Sequence, residues 1–485
     1  QGELRRKEAG NVFGLGSRTP ISITLLVKKP GKLKEKAAIH YHDIGDYLNK
    51  EEKLKIISKF KTIANSTMNL IELQPNEHGD WISQRSDVFE TFIPIHPEKK
   101  YDNRCFSYFV AYSLGTATNR DVWVYNYSVS DLKSNITKTI QYFNEQTSLI
   151  INGTSDSIKK SSNRGNWTRD WDNFLKSGHT IVENKDEYRI ALHRPFSKLN
   201  NYFDDDLNQE RYQLPRFFPS SEHHNLVICV SGVGASKDFS VLLSNYIPDL
   251  QLQFNGQCFP LYYYEKNDQA QMSVFDQSND EYIRRDGVSD FILERANKIY
   301  GKNVTKEDLF YYVYGFLHCP EYREKFANDL KKMLPRLPLV EDVRDFWKFS
   351  KAGRALADLH INYETVPPYE GVKVSGAEKG NFRVDKMKFP KKGQKETIIY
   401  NDRITIENIP ERAYEYVVNG RSAIEWIMER YQVSVDKKSG IKNDPNDWAD
   451  EVGNPRYILD LLLSIINVSL QTLDIVESLP KVKFE

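Results

Sequence analysis

Cysteine is scarce in this chain, with four among 485 residues (Cys105, Cys229, Cys258 and Cys319). They lie far apart, with no Cys-x-x-Cys pair and no Cys/His spacing of a zinc site. That excludes a disulfide scaffold or zinc ribbon and leaves buried thiols in a reducing cytoplasm as the expectation. An excess of either charge is also missing, since 67 basic residues balance 67 acidic ones. A uniformly basic nucleic-acid coat is thereby excluded, and any DNA or RNA site must be a local concentration of Lys and Arg. No apolar run is long enough to span a bilayer, which takes about 20 mostly apolar residues. The most apolar stretch, Tyr457–Leu473, is interrupted by Asp460, Ser464, Asn467, Ser469 and Gln471. Its leucines and isoleucines fall at helical spacing, as in a core helix.

What is present is a globular composition, 40% apolar and 28% charged, with room for two to four domains at roughly 100–200 residues each. Gln1 is not an initiator, and near it the run Ile21–Val27 has the β-branched richness of a strand. Such a strand wants a sheet, and its partners are expected in residues cut away upstream. A Lys-rich turn (Lys28–Lys32), a strand over Ala37–Tyr41 and a charged helix near Glu51–Ile63 follow. A domain junction is placed near residue 100. A helix is predicted around Ile136–Phe143, and the polar stretch Asn152–Arg169 marks a surface excursion. Short strands are predicted from Tyr188 to Tyr264, among them Leu226–Val230 and Phe259–Tyr264. Thr305 with Asp308 resembles a capping box before a helix over Leu309–Leu317, and Pro320 suits the first turn of the next, which carries Tyr322, Phe326, Leu330 and Met333 as far as Pro335. Further helices are predicted over Val343–Leu359, 413–431 and 455–478, with strands and turns over 365–410. The architecture reads as mixed α/β without internal repeats.

Four constellations can carry chemistry, and each has a bland counterpart. In the segment Gly115–Asn126, Thr118, Asn119 and Arg120 sit between a glycine turn and an aromatic strand. Asn and Arg offer the paired hydrogen bonds that base edges and phosphates accept, unless Asp121 simply neutralises a neighbour. His193-Arg194-Pro195-Phe196 with Tyr202-Phe203 is either an Arg/aromatic phosphate contact or domain glue. Ser231–Asp238, with Ser236 and Lys237, follows a strand but fails the Gly-Lys-Ser/Thr order of a Walker loop, leaving a polar turn able to meet a phosphate backbone. Lys386, Lys388, Lys391, Lys392 and Lys395 surround Phe389-Pro390. They form a solvated hairpin tip or, beside a duplex, a source of salt-sensitive affinity. His223-His224-Asn225 lacks a second ligand cluster for a nuclease, and no Ser/His/Asp set, metal-ligand series or cofactor loop can be assembled. No catalytic, cofactor-binding or metal-binding residues are therefore expected in this chain.

Several blocks in order resemble one family, the C-terminal portion of type ISP restriction-modification enzymes. They are Asn11–Lys28 (NVFGLGSRTPISITLLVK), Gly79–Arg85 (GDWISQR), Leu114–Asn126 (LGTATNRDVWVYN), Tyr188–Phe203 with its RPF, and Tyr314–Pro338. Phe346–Tyr363 and Ala423–Trp448, with its GIKNDPNDW, complete the set. The resemblance implies the end of a methyltransferase sheet followed by a mixed α+β target-recognition domain with a helical C-terminal part. Residues 1–100 would be the methyltransferase remnant and linker. Residues 101–485 would be the specificity domain, with room for a subdivision near residue 300. It further implies that the parent enzyme uses S-adenosylmethionine, ATP and Mg for adenine methylation, translocation and cleavage. Neither the glycine-bearing cofactor loop nor the Asn-Pro-Pro-aromatic loop of such methyltransferases occurs here, and helicase and nuclease signatures are absent too. The expected role is recognition of double-stranded DNA, which positions an adenine for the upstream methyltransferase domain and licenses translocation and cleavage of unmethylated sites. Thr118, Asn119, Arg120, Arg194, Ser236, Lys237, Lys386, Lys388, Lys391 and Lys392 are the candidate DNA contacts, with no membrane partner. Competing classes are an enzyme working with a cofactor bound elsewhere, and a non-enzymatic RNA-binding or protein-interaction scaffold that uses the abundant tyrosines.

Overall fold

Whether an apolar run becomes a strand depends on finding a partner, and the runs of this chain divide on that point. The computed structural model describes residues 12, 21–28, 37–97, 106–154, 158–161, 163–267 and 281–484, and it separates into two units, Gln1–Asp87 and Val88–Glu485. In the first unit β1 (Ile39–Tyr41) pairs antiparallel with β2 (Ile71–Leu73). Between them α1 (Lys50–Phe60) starts at a capping box in which Asn49 and Glu52 satisfy each other's backbone N–H. The strand expected at Ile21–Val27 is not formed, because β structure needs a neighbouring edge. Among the described residues nothing pairs with it, and Ile23, Leu25, Leu26 and Val27 are 64–90% exposed. The remaining residues of the Asn11–Lys28 block, except Val12 and Lys28, and most of the Lys-rich turn lie outside the described residues, as does Cys105.

The second unit is built on two four-stranded sheets. The strands of these two sheets are β3 (Ser113–Leu114), β4 (Tyr125–Asn126), β5 (Tyr188–Arg194), β6 (Ser197–Tyr202), β7 (Val227–Val230), β8 (Val241–Ser244), β9 (Ile247–Pro248) and β10 (Gln257–Pro260). One sheet runs β3-β10-β7-β8 and the other β9-β5-β6-β4. Its principal helices are α2 (Val129–Ile151), α3 (Lys306–Phe316), α4 (Val343–Ile361) and α5 (Tyr457–Glu477). The first sheet is the partition between two hydrophobic cores. Val227, Cys229, Leu242 and Cys258 face one core, shared with the second sheet and α5. Ile228, Val230, Val241, Leu243 and Phe259 face the other, shared with α3 and α4. Alternate residues of a strand point to opposite faces, so a strand apolar on both is buried on both. This accounts for the unbroken Val-Ile-Cys-Val run.

α3 begins at the capping box of Thr305 and Asp308, as the sequence indicates. It crosses α4 where two glycines meet: a Cβ on Gly315 would stand 2.2 Å from the Phe349 carbonyl oxygen, and one on Gly353 would stand 1.9 Å from that of Tyr311. The helix opened by Pro320 breaks at Phe326 into Pro320–Lys325 and Ala327–Lys332. α2 extends well beyond the expected Ile136–Phe143, starting at a Ser128 cap. Helix α5 is apolar and long enough to cross a membrane by composition alone, but it packs inside the fold against α4 and the helix Ala423–Arg430. Residues 413–431 are not one helix. A hairpin, Val417–Val418 with Arg421–Ser422, turns at Asn419-Gly420 before the helix Ala423–Arg430. Both turn residues have positive φ, 48° and 73°. Asn-Gly suits that conformation, and the turn overrides the helical spacing around it.

Candidate nucleic-acid interface

The β5–β6 hairpin turns at Pro195-Phe196, and proline followed by a residue at positive φ (57°) is the pattern of a tight type II turn. An aromatic residue is strained there, but the Phe196 ring is fully buried and meets Tyr363 edge-on at 5.3 Å. The turn leaves Arg194 at the end of its strand, beside Asp249, because β9 runs parallel to β5 with Pro248 opposite Leu192. Arg194 Nη1 donates to Asp249 Oδ1 at 2.7 Å and to the His193 carbonyl at 2.6 Å, and Nη2 lies 3.5 Å from Asp121 Oδ2. Asp249 also accepts from the Tyr125 hydroxyl at 3.2 Å and the Gln251 N–H at 2.8 Å.

Asp121 joins this cluster from the other side of the loop. The loop is held on the β9 end by Gly115, where a Cβ would stand 2.5 Å from the Asp249 carbonyl oxygen, and by the Thr116 N–H bonded to Pro248. Burial pushes the Asp121 carboxyl up, but His193, Arg194 and the Thr118 hydroxyl outweigh it and hold the group well below the usual carboxylate range. Burial lowers His193, reinforced by the Arg194 charge and opposed by its bond to Asp121 and the charge of Asp249. Burial raises Asp249 against the pull of Arg194. Asp121, His193 and Asp249 bring ligand-type atoms within 4.8 Å of one another. The Arg194 guanidinium already supplies the positive charge that two carboxylates require there.

Lys237 is braced in a different way. Its Nζ donates to the backbone oxygen of Asn419 at 2.8 Å and to its side-chain oxygen at 3.1 Å. Its stem lies across Gly420, where a Cβ would stand 2.7 Å from Lys237 Cδ. Burial lowers its pKa, as do the nearby charges of Arg421 and Arg194. Arg430 is lowered by burial and by the same Arg194 charge. Arg194, Lys237, Arg421 and Arg430 thus share one electrostatic neighbourhood, in which Asp249 pairs with Arg194 and Glu429 with both Arg421 and Arg430, leaving Lys237 without a carboxylate partner among the described residues. Ser236, beside Lys237, is exposed.

The other sequence-selected residues are placed as follows. Thr118 is buried and donates to Asp121. Asn119, at φ 51°, is exposed and donates to Gln209 at 3.3 Å. Arg120 is 1% exposed: its guanidinium stacks 4.1 Å over Trp171 and donates to Thr168 at 2.7 Å, and burial lowers it to about 10. Lys386, Lys388, Lys391 and Lys392 are exposed and make no ion pair among the described residues, while Met387 is buried and Phe389 packs on the core. Lys395 turns inward to Glu425 at 3.5 Å. His223 bonds Ser220 at 2.7 Å and packs between Tyr264 and Tyr282. Asp249, Asn419, Arg421 and Arg430 escaped sequence reasoning. Only Asn419 carried a local signal, its Asn-Gly pair.

Arg194, at a strand end, and Lys237, on a loop, are thus cations that a mixed α/β scaffold holds in place through distant partners. The family model of the type ISP C-terminal specificity domain matches residues 107–461, and the chain belongs to that family. Among solved structures it is similar to a nuclease-deletion mutant of the type ISP restriction-modification enzyme LlaGI in complex with a DNA substrate mimic. That likeness has 38% identity and a TM-score of 0.86, covering 100% of this chain and 43% of that one. It is similar to LlaBIII, an ATP-dependent type ISP restriction-modification enzyme bound to DNA, at 38% identity and a TM-score of 0.81, covering 93% of this chain and 28% of that one. The DrdV–DNA complex is similar at 27% identity and a TM-score of 0.76, over 92% of this chain and 43% of that one. The chain therefore spans less than half the length of each. No curated protein matches it.

Proposed function

We propose that the chain recognises a specific sequence in double-stranded DNA on behalf of a type ISP restriction-modification enzyme. The observation that carries this reading is the 38% identity, over nearly the whole chain, to two enzymes of that type solved with DNA or a DNA mimic. In this reading Arg194 and Lys237, with Asn119 and Ser236, face the duplex. The braced cations bond phosphates or a guanine edge, to which a rigid arginine fork is suited. Thr118 and Arg120, both buried, hold the loop rather than touch DNA. Lys386, Lys388, Lys391 and Lys392 add affinity without specificity. Residues 21–28 join the sheet of an upstream methyltransferase domain, whose target adenine the specificity domain positions. S-adenosylmethionine, ATP and Mg act in those other domains, and an unmethylated site licenses translocation and cleavage there.

The test is selection from a randomised duplex library by the full chain, followed by anisotropy titration of the enriched sequence against a scrambled one. A specific protein binds its site about a thousandfold or more tighter than unrelated DNA. No enrichment, and no duplex binding even at low salt, would overturn the proposal.

A further inference from the structure

The Asp121–Val124 helical turn sends Asp121 toward Arg194, while Trp123 faces a separate cavity of about 400 Å³ between α2, the segment at residue 164 and the loop Ser439–Lys442. That is within the volume of small-molecule sites, roughly 300–1,000 Å³. Trp123 is 8% exposed yet belongs to neither hydrophobic core and has no aromatic neighbour among the described residues. Its indole N–H has no acceptor there either. Asn135, on the α2 wall, has a buried side-chain N–H₂ with no acceptor. A buried donor left unpaired is uncommon and costs the full desolvation of the group. One turn further along, Lys138 is exposed and makes no ion pair among the described residues. Arg164 reaches the exposed Glu145 at 4.0 Å and lies over the Tyr142 ring at 4.8 Å, with no closer ionic partner among the described residues. Asp131 is the one acid lining the cavity.

The cavity wall therefore carries two cations, Lys138 and Arg164, and the unpaired Asn135 N–H₂ against one acid, Asp131, beside a flat aromatic wall. A ligand that satisfies them must be rich in acceptors, anionic, and in part planar. We propose that the cavity binds a nucleoside phosphate, its phosphate on Lys138 and Arg164 with the Asn135 amide, and its base against the Trp123 ring. The site is distinct from the Arg194 cluster and does not depend on the DNA-recognition reading. The phosphate has two sources, a free nucleotide or a nucleotide of a DNA strand, and the experiment separates them.

AMP, adenosine and inorganic phosphate are titrated into the full chain by calorimetry, with tryptophan emission recorded in parallel. AMP is expected to bind saturably and quench emission, with adenosine weaker. Lys138→Ala and Asn135→Leu are each expected to weaken AMP about tenfold or more, the scale of losing a hydrogen bond to a charged group. Both positions are on the cavity wall, so melting temperatures should not fall, and Asn135→Leu should if anything raise its own by removing the unpaired donor, while Trp123→Phe should remove the quenching. Displacement of AMP by duplex DNA would assign the natural ligand to the strand, and co-binding would assign it to a free nucleotide. No saturable AMP binding at millimolar concentration, or binding indifferent to both variants in chains that melt normally, would overturn the proposal.

Discussion

Arg120 and Arg194 look alike in sequence, each beside an aspartate or histidine in an aromatic-rich block, and the fold gives them opposite surroundings. Arg120 is buried with its guanidinium over Trp171. Replacing it by alanine removes a desolvated cation–π contact of about 2 kcal/mol and should lower the urea midpoint accordingly. Arg194→Ala leaves Asp249, 4% exposed, without its cation, and breaking a buried pair costs roughly 3–5 kcal/mol. Arg194→Ala together with Asp249→Asn should recover part of that loss, because the stranded charge is gone; an equal or larger loss in the double variant would refute the pairing. His360 makes a third case. Its Nδ1 lies 2.6 Å from the Tyr314 hydroxyl, Nε2 meets Thr472 at 2.9 Å, and burial holds its pKa down to about 3. The unfolded chain takes up a proton on this group near 6.5 while the native one does not. His360 therefore adds nothing to the pH dependence above 6.5 and progressively destabilises the fold as pH falls from 6.5 to about 3. Denaturant titrations across that window should show a shallower loss for His360→Gln than for the parent.

At the scale of elements, α3 and α4 can approach only because Gly315 and Gly353 carry no side chain. A methyl group pressed on backbone cannot be relieved by a rotamer change. Gly315→Ala should therefore destabilise by roughly 1–3 kcal/mol or more, read as a fall in melting temperature. Thr305→Ala should cost about 1 kcal/mol through the missing N-cap at the start of α3. That capping box, the strand Val227–Val230 and helices α4 and α5 are legible in the sequence because their signals are local: a cap, an apolar run, a 3.6-residue period. The hairpin inside 413–431 is masked, although Asn419-Gly420 is a strong short-range turn signal, because apolar residues on either side keep a helical rhythm. Ile21–Val27 reads as a strand by composition, but only a paired edge turns composition into a strand.

For the whole molecule, the balanced charge means that DNA affinity must arise from local cations, and its salt dependence counts them. Changing Lys386, Lys388, Lys391 and Lys392 together to alanine should reduce the slope of log K against log salt by up to about 0.9 for each phosphate no longer neutralised, without altering the preferred sequence. Anisotropy titrations over a salt series check this, and an unchanged slope would place these lysines away from the duplex. Lys237→Ala should weaken binding as well, with the Asn-Gly hairpin beneath it intact.

The sequence by itself determined the mixed α/β character, the family and most helix starts, because each of these is written in neighbouring residues or in the order of short blocks. It also singled out Arg194 and Lys237. What only the tertiary structure decided is which charged residues are presented and which are buried. That depends on partners far along the chain: Asp249 reaches Arg194 through a parallel strand, Asn419 reaches Lys237 through a hairpin, and Trp171 covers Arg120. No local pattern encodes such pairings, since they exist only once the sheets have brought distant segments together.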